Sequence, residues 1–140
     1  MTAPQDFSVI PASDYAGDIP APLAWQWVQA GEAVLIDVRT DAERAWVGQV
    51  PGAVPVQWKL WPGMGSNPDF DAQLQAAVPQ GKKAVLLCRS GVRSIAAATR
   101  AAQLGVEAYN ILEGFEGELD ANGHRGQLGG WRKQGLPWKQ

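Results

Sequence analysis

Cys88 is the only cysteine of the 140-residue chain, and it opens the run Cys88-Arg89-Ser90-Gly91-Val92-Arg93, followed by Ser94 and an alanine-rich stretch. One cysteine cannot form an intramolecular disulfide or, alone, the usual four-ligand zinc site, so it is either a buried inert thiol or a reactive one. In isolation the inert reading is the default, because free cysteine is among the most buried side chains. The polar, doubly cationic loop that follows shifts the reading to a reactive site. A short loop between a buried strand and a helix gathers backbone amides and the helix's positive end, which welcome an anion. Gly91 permits the tight curvature of such a cradle, and Arg89 and Arg93 add permanent charge. The thiolate is the form that this field stabilises. Cys88 is therefore the expected nucleophile, and Arg89, Ser90, Gly91, Val92, Arg93 and Ser94 form the expected substrate-binding loop.

The elements that must hold this loop are short apolar runs alternating with helical patterns. Residues 33–38, Ala-Val-Leu-Ile-Asp-Val, and 84–87, Ala-Val-Leu-Leu, read as strands buried on both faces. Residues 15–18, 53–56 and 107–112 are further strand candidates. Helices are expected over 20–30, with Pro near the start and Gly31 past the end, over 69–78, and over the alanine-rich 92–104, stopped by Gly105. Thr40-Asp41-Ala42-Glu43 has the spacing of a capping box, opening a short helix to Val47. Residues 57–68 read as a loop, 113–126 as a glycine-rich segment, and 129–134 as a final short helix. The alternation predicts an α/β fold with a parallel sheet covered on both faces. In such sheets ligands bind beyond the carboxyl ends of the strands, so Trp58, Trp61, Phe115, His124 and Arg125 are candidates for the pocket rim around Cys88.

Length and composition fit one globular domain, with 46% hydrophobic and 19% charged residues. Residues 1–14 read as a loose N-terminal tail and 15–140 as the domain. The 12 Lys and Arg residues are scattered against 14 acidic ones, for a net charge of -2, which argues against nucleic acid as a partner. Residues 1–13 lack the basic and apolar regions of a signal peptide, and no apolar stretch is long enough for a membrane span, so a cytoplasmic location without membrane association is expected.

Four segments in order resemble the rhodanese-like family, covering about Tyr15 to Trp138. Leu35-Ile36-Asp37-Val38-Arg39 resembles its first marker. Gly48-Gln49-Val50-Pro51-Gly52-Ala53 resembles the second, usually G-H-I-P-G-A, with Gln49 where the family commonly has His. Cys88 to Arg93 matches the active-site loop. Leu112-Glu113-Gly114-Phe115, with Gly129-Gly130-Trp131 through Gly135-Leu136-Pro137, resembles the closing motif, across a link at 116–128 that is longer than usual. The resemblance implies a three-layer rhodanese-like fold with a central, mostly parallel five-stranded sheet and helices on both faces. It also implies a thiosulfate sulfurtransferase-like enzyme that carries sulfur as a persulfide on Cys88. The implied partners are a small-molecule sulfur donor and a thiol, cyanide or protein acceptor, with no cofactor and no metal.

Other residues carry blander readings. Asp37 and Arg39 read as structural support, bonding neighbouring backbone and Glu43. His124 reads as a surface-loop residue that reaches Cys88 only if its loop folds over the thiol. Amphipathic packing accounts for Trp25, Trp27 and Trp46. The rival functions are a cysteine phosphatase or arsenate reductase and a non-catalytic binding module. The first places arginine six positions after the cysteine, where this chain has Ser94; the second often lacks the cysteine altogether.

Overall fold

The computed structural model describes residues 8–140, so the first half of the expected tail lies outside the described residues. Among the described residues, eight short strands and four helices follow in the order β1 (Ile10–Pro11), β2 (Gly17–Ile19), α1 (Ala21–Gln29), β3 (Ala33–Asp37), α2 (Asp41–Trp46), β4 (Val54–Pro55), β5 (Lys59–Leu60), β6 (Gly65–Ser66), α3 (Phe70–Ala77), β7 (Lys83–Leu87), α4 (Arg93–Gln103) and β8 (Ala108–Ile111). The main sheet has the strand order β1-β2-β8-β7-β3-β4.

The five expected strands, β2, β8, β7, β3 and β4, are joined by parallel pairings throughout. A sixth, β1, adds antiparallel to β2 from within the expected tail. The expected loop at 57–68 contains the antiparallel β5–β6 hairpin. The helix expected at 129–134 does not form. Residues 131–135 make turns in which Gln134 N donates to Gly130 O at 3.1 Å and Gly135 N to Arg132 O at 3.1 Å. Glycines at 129, 130 and 135 raise the entropic cost of a regular helix in so short a segment.

Side chains alternate across the sheet, as the pleat requires. Leu35, Val85, Leu87 and Ile111 face α1 together with Phe115 and Trp131. Ile36, Ala84, Leu86 and Ala108 face the other way, onto Phe70 and Leu74 of α3 and Ala97, Ala98 and Ala101 of α4. Small alanines let α4 lie close to the sheet, and Cys88, one step past β7, keeps this alternation and falls on the α4 side. Among the described residues no helix is long and apolar enough to cross a membrane.

Candidate active site

Strand β7 ends at Leu87 and α4 begins at Arg93, so the five residues between them turn the chain through the expected loop. Cys88 is 1% exposed. Its Sγ accepts a hydrogen bond from Gly91 N at 3.0 Å and lies 3.2 Å from Ser94 Oγ. Gly91 has φ of 96°, in the region glycine adopts without penalty.

The loop is pinned from behind by the closing segment. Phe115 N donates to Cys88 O at 2.8 Å and Glu116 N to Arg89 O at 2.9 Å. This approach needs Gly114, where a Cβ would stand 2.5 Å from Cys88 O and 2.7 Å from Arg89 C.

The two loop arginines have different fates. Arg93 is turned to Glu43, with Nη1 2.6 Å from Oε1 and Nη2 2.7 Å from Oε2. Glu43 also completes the capping box of α2 with Thr40. Burial pushes the Glu43 carboxyl up, but the hydrogen bonds and charge of Arg93, joined by those of Thr40, outweigh it and hold the group below the ordinary carboxylate range. The hydrogen bonds that Arg93 donates to Glu43 likewise push the guanidinium up, and the nearby Cys88 sulfur adds to its charge stabilisation. Arg89 is exposed and lines the cleft above Cys88.

That cleft has a volume of about 770 Å³ and is lined by Thr40, Ala42, Glu43, Trp46, Val47, Trp61, Met64, Cys88, Arg89, Ser90, Val92, Arg93, Glu116 and Arg125. Of the rim candidates, Trp61 and Arg125 lie on it. Trp58, Phe115 and His124 do not. Trp58 is half-buried and packs edge-on against Phe70 at 4.8 Å, at the margin of the core that holds α3. Phe115 is fully buried, with the Arg39 guanidinium 4.2 Å from its ring centroid. His124 is exposed at the tip of a loop closed on itself, where Asp120 Oδ1 accepts from both Asn122 N and His124 N at 2.9 Å.

Asp37 and Arg39 are wholly buried and paired, Nη2 to Oδ2 at 2.7 Å, and the same Nη2 donates to Gly48 O at 2.8 Å. Glu43 does not join them, because the start of α2 turns its carboxylate toward Arg93. Trp46 departs from its expected packing role: it is 72% exposed and forms part of the cleft wall.

Beneath the thiol lies a buried contributor that sequence reasoning missed. Asn110, 1% exposed on β8, accepts from Ser94 Oγ at 2.5 Å and donates through Nδ2 to Asp18 Oδ1 at 2.9 Å. Tyr15 OH donates to the same Asp18 oxygen at 2.8 Å, and burial together with Asp18 pushes this phenol up to about 12. An asparagine inside the otherwise apolar run Ala108–Ile111 was the available signal, since a buried amide needs partners. The cleft residues Trp46, Val47, Met64 and Glu116 carried no local mark.

A thiol at the base of a cleft, on a strand-to-helix turn that aims a backbone amide at its sulfur, fits nucleophilic sulfur chemistry. The rhodanese-like domain model matches residues 21–119, which includes the whole of this turn. The chain belongs to the rhodanese-like domain family. This rhodanese-like domain superposes on a crystal structure from M. tuberculosis with a TM-score of 0.82 and 45% identity, covering 90% of this chain and 98% of that one. It is 34% identical over 110 residues to an uncharacterized protein of Rickettsia rickettsii, covering 76% of this chain and 83% of the relative. It is 35% identical over 107 residues to the chloroplastic thiosulfate sulfurtransferase 16 of Arabidopsis thaliana, covering 74% and 78%.

Proposed function

We propose that this protein is a sulfurtransferase that holds a sulfane sulfur as a persulfide on Cys88. The observation that carries the reading is the Gly91 amide 3.0 Å from Cys88 Sγ at the base of the cleft. A backbone donor fixed at that distance stabilises negative charge on sulfur with no reorganisation during the reaction. The thiolate attacks the outer sulfur of thiosulfate. A bond forms to Sγ, the sulfur–sulfur bond of the donor breaks, and sulfite leaves with its electron pair. Arg89, exposed and close by, attracts the anionic donor, and the loop from Ser90 to Ser94 encloses the bound sulfur. A nucleophile such as cyanide or a thiol then takes the outer sulfur and returns Sγ to a thiolate. A protein cysteine is a further class of acceptor. The similarity to the Arabidopsis thiosulfate sulfurtransferase supports the same donor class.

Two features weigh against the rivals. Arg93 is committed to Glu43 and is not free to clamp a phosphate or arsenate. A non-catalytic module has no need of a cysteine supplied with an amide donor.

Incubation with thiosulfate followed by intact mass measurement tests the proposal. The wild type is expected to gain one sulfur atom that cyanide removes, and Cys88→Ser to gain none. A wild type that stays unloaded while a known sulfurtransferase loads would leave the binding-module reading in its place.

A further inference from the structure

We propose that the acceptor of the Cys88 sulfur is a small thiol with an apolar body, seated against Trp46, Trp61, Met64 and Val92. The inference rests on the sulfurtransferase reading and names the substrate class of that site.

These four side chains are 72%, 56%, 39% and 71% exposed, and all four line the cleft above Cys88. Nine large hydrophobic residues are exposed among the described ones, so almost half of them converge on one concavity. Isolated exposed apolar residues need no explanation, whereas a convergent set around a nucleophile marks a binding surface. They arrive from separate parts of the chain: Trp46 ends α2, Trp61 and Met64 sit in the β5–β6 turn, and Val92 closes the active-site loop. Helix α2 buries none of its residues, so Trp46 has no core role to explain it. By contrast, Trp25, Trp27 and Trp58 each pack against another ring.

A cleft of about 770 Å³ is of the size that encloses an organic molecule of moderate size, far more than thiosulfate or cyanide fills. A small anion would leave the apolar wall in water; a reactant with an apolar body would displace that water. Cys88 at 1% exposure is reached by a slender thiol more readily than by a cysteine on the surface of a folded partner. The apolar body is assigned to the acceptor because the acceptor meets the sulfur one bond further out than Sγ, nearer the exposed collar. Arg89 supplies the charge that draws in a thiolate.

In the transfer step the acceptor thiolate attacks the outer sulfur of the persulfide. A new sulfur–sulfur bond forms to the acceptor, the bond to Sγ breaks, and its electron pair stays on Sγ as the thiolate. The outer sulfur, protonated by water after loading, keeps that proton on transfer, and no oxidant or reductant is consumed.

The test compares 2-phenylethanethiol with 2-mercaptoethanol, each rate referred to that thiol's own thiolate concentration, as acceptors from thiosulfate-loaded protein. The phenyl thiol is expected to show a kcat/KM about tenfold higher or more, in line with burial of a ring. Trp46→Ala and Trp61→Ala are each expected to lower that ratio about threefold or more by removing part of the wall. Because the ratio is taken within each variant, differences in folded fraction or loading cancel. Equal values for the two thiols, or a ratio that neither substitution moves, overturns the inference while leaving sulfur transfer to cyanide intact. Absence of loading from thiosulfate removes both readings together.

Discussion

Arg93 and Glu43, fifty positions apart in the chain, meet fork to fork, each terminal guanidinium nitrogen on its own carboxylate oxygen at 2.6 and 2.7 Å. Bidentate pairing of this kind adds geometric specificity to its energy. It ties the first turn of α4, and with it the loop that begins at Cys88, to the first turn of α2 at the edge of the cleft.

Glu43→Gln is expected to destabilise the protein by about 2 kcal/mol at neutral pH, between the values typical of exposed and buried ion pairs. The pH dependence has a definite sign. The native Glu43 carboxyl is held low, so its contribution is present above the unfolded carboxylate value of about 4.3 and is lost as pH falls through the lower native value. Thermal unfolding at pH 7 and at pH 3 should show the wild type's advantage over Glu43→Gln shrinking on acidification. An advantage that grew at pH 3 would contradict this assignment.

Asn110 governs which way the Ser94 hydroxyl points. Asp18 as a carboxylate only accepts, so Asn110 must face it with Nδ2 and offer Oδ1 to Ser94. The single Ser94 hydrogen then goes to Asn110, and Ser94 Oγ is left to accept from the Cys88 S–H at 3.2 Å. A Cys88 thiolate gains no donor from Ser94 until that hydroxyl turns away from Asn110. Asn110→Ala should free it to stabilise the thiolate, raising the rate of Cys88 alkylation by iodoacetamide at pH 7 several-fold. Adding Ser94→Ala should cancel the gain. Slower alkylation in folded Asn110→Ala would show that the asparagine acts in some other way.

Gly114→Ala should disable sulfur loading. Its Cβ would fall 2.5 Å from Cys88 O at a backbone φ of 61°, so the loop must move or the closing segment must detach. A loss of about 1–3 kcal/mol in stability is expected from overpacking, with loading reduced beyond what the unfolded fraction explains. Gly105→Ala is the control. It carries the same kind of conformational penalty at φ of 86° but meets nothing within 4 Å, and it should load sulfur normally. Equal loading by the two folded variants would show that the close approach at Gly114 is dispensable.

Much of the scaffold was legible in the sequence because its signals are local. The apolar runs at 33–38 and 84–87, the alanine-rich segment before Gly105 and the spacing of Thr40 to Glu43 each specify an element through nearest neighbours and short periodicities. The order of those elements is enough to predict a parallel sheet, and so to place Cys88 on a turn at the carboxyl edge of its strand. The two-residue strand β1 escaped notice because so short an element has no period to detect.

The surroundings of the thiol were decided by tertiary structure. Nothing local distinguishes Trp58, which packs on Phe70, from Trp61, which faces the cleft, since both are aromatic residues in one irregular stretch. Glu43 was legible as a capping residue, but its pairing with Arg93 depends on where α2 and α4 lie across the sheet. Asn110 reaches Ser94 only because β8 lies beside β7 in the sheet, with its register set by the pleat and by burial on both faces. The sequence by itself thus determined most of the elements that form the main sheet and its helices, and singled out Cys88 as the expected nucleophile. Only their packing decided which side chains surround the sulfur, because those contacts join segments that carry no mark of one another along the chain.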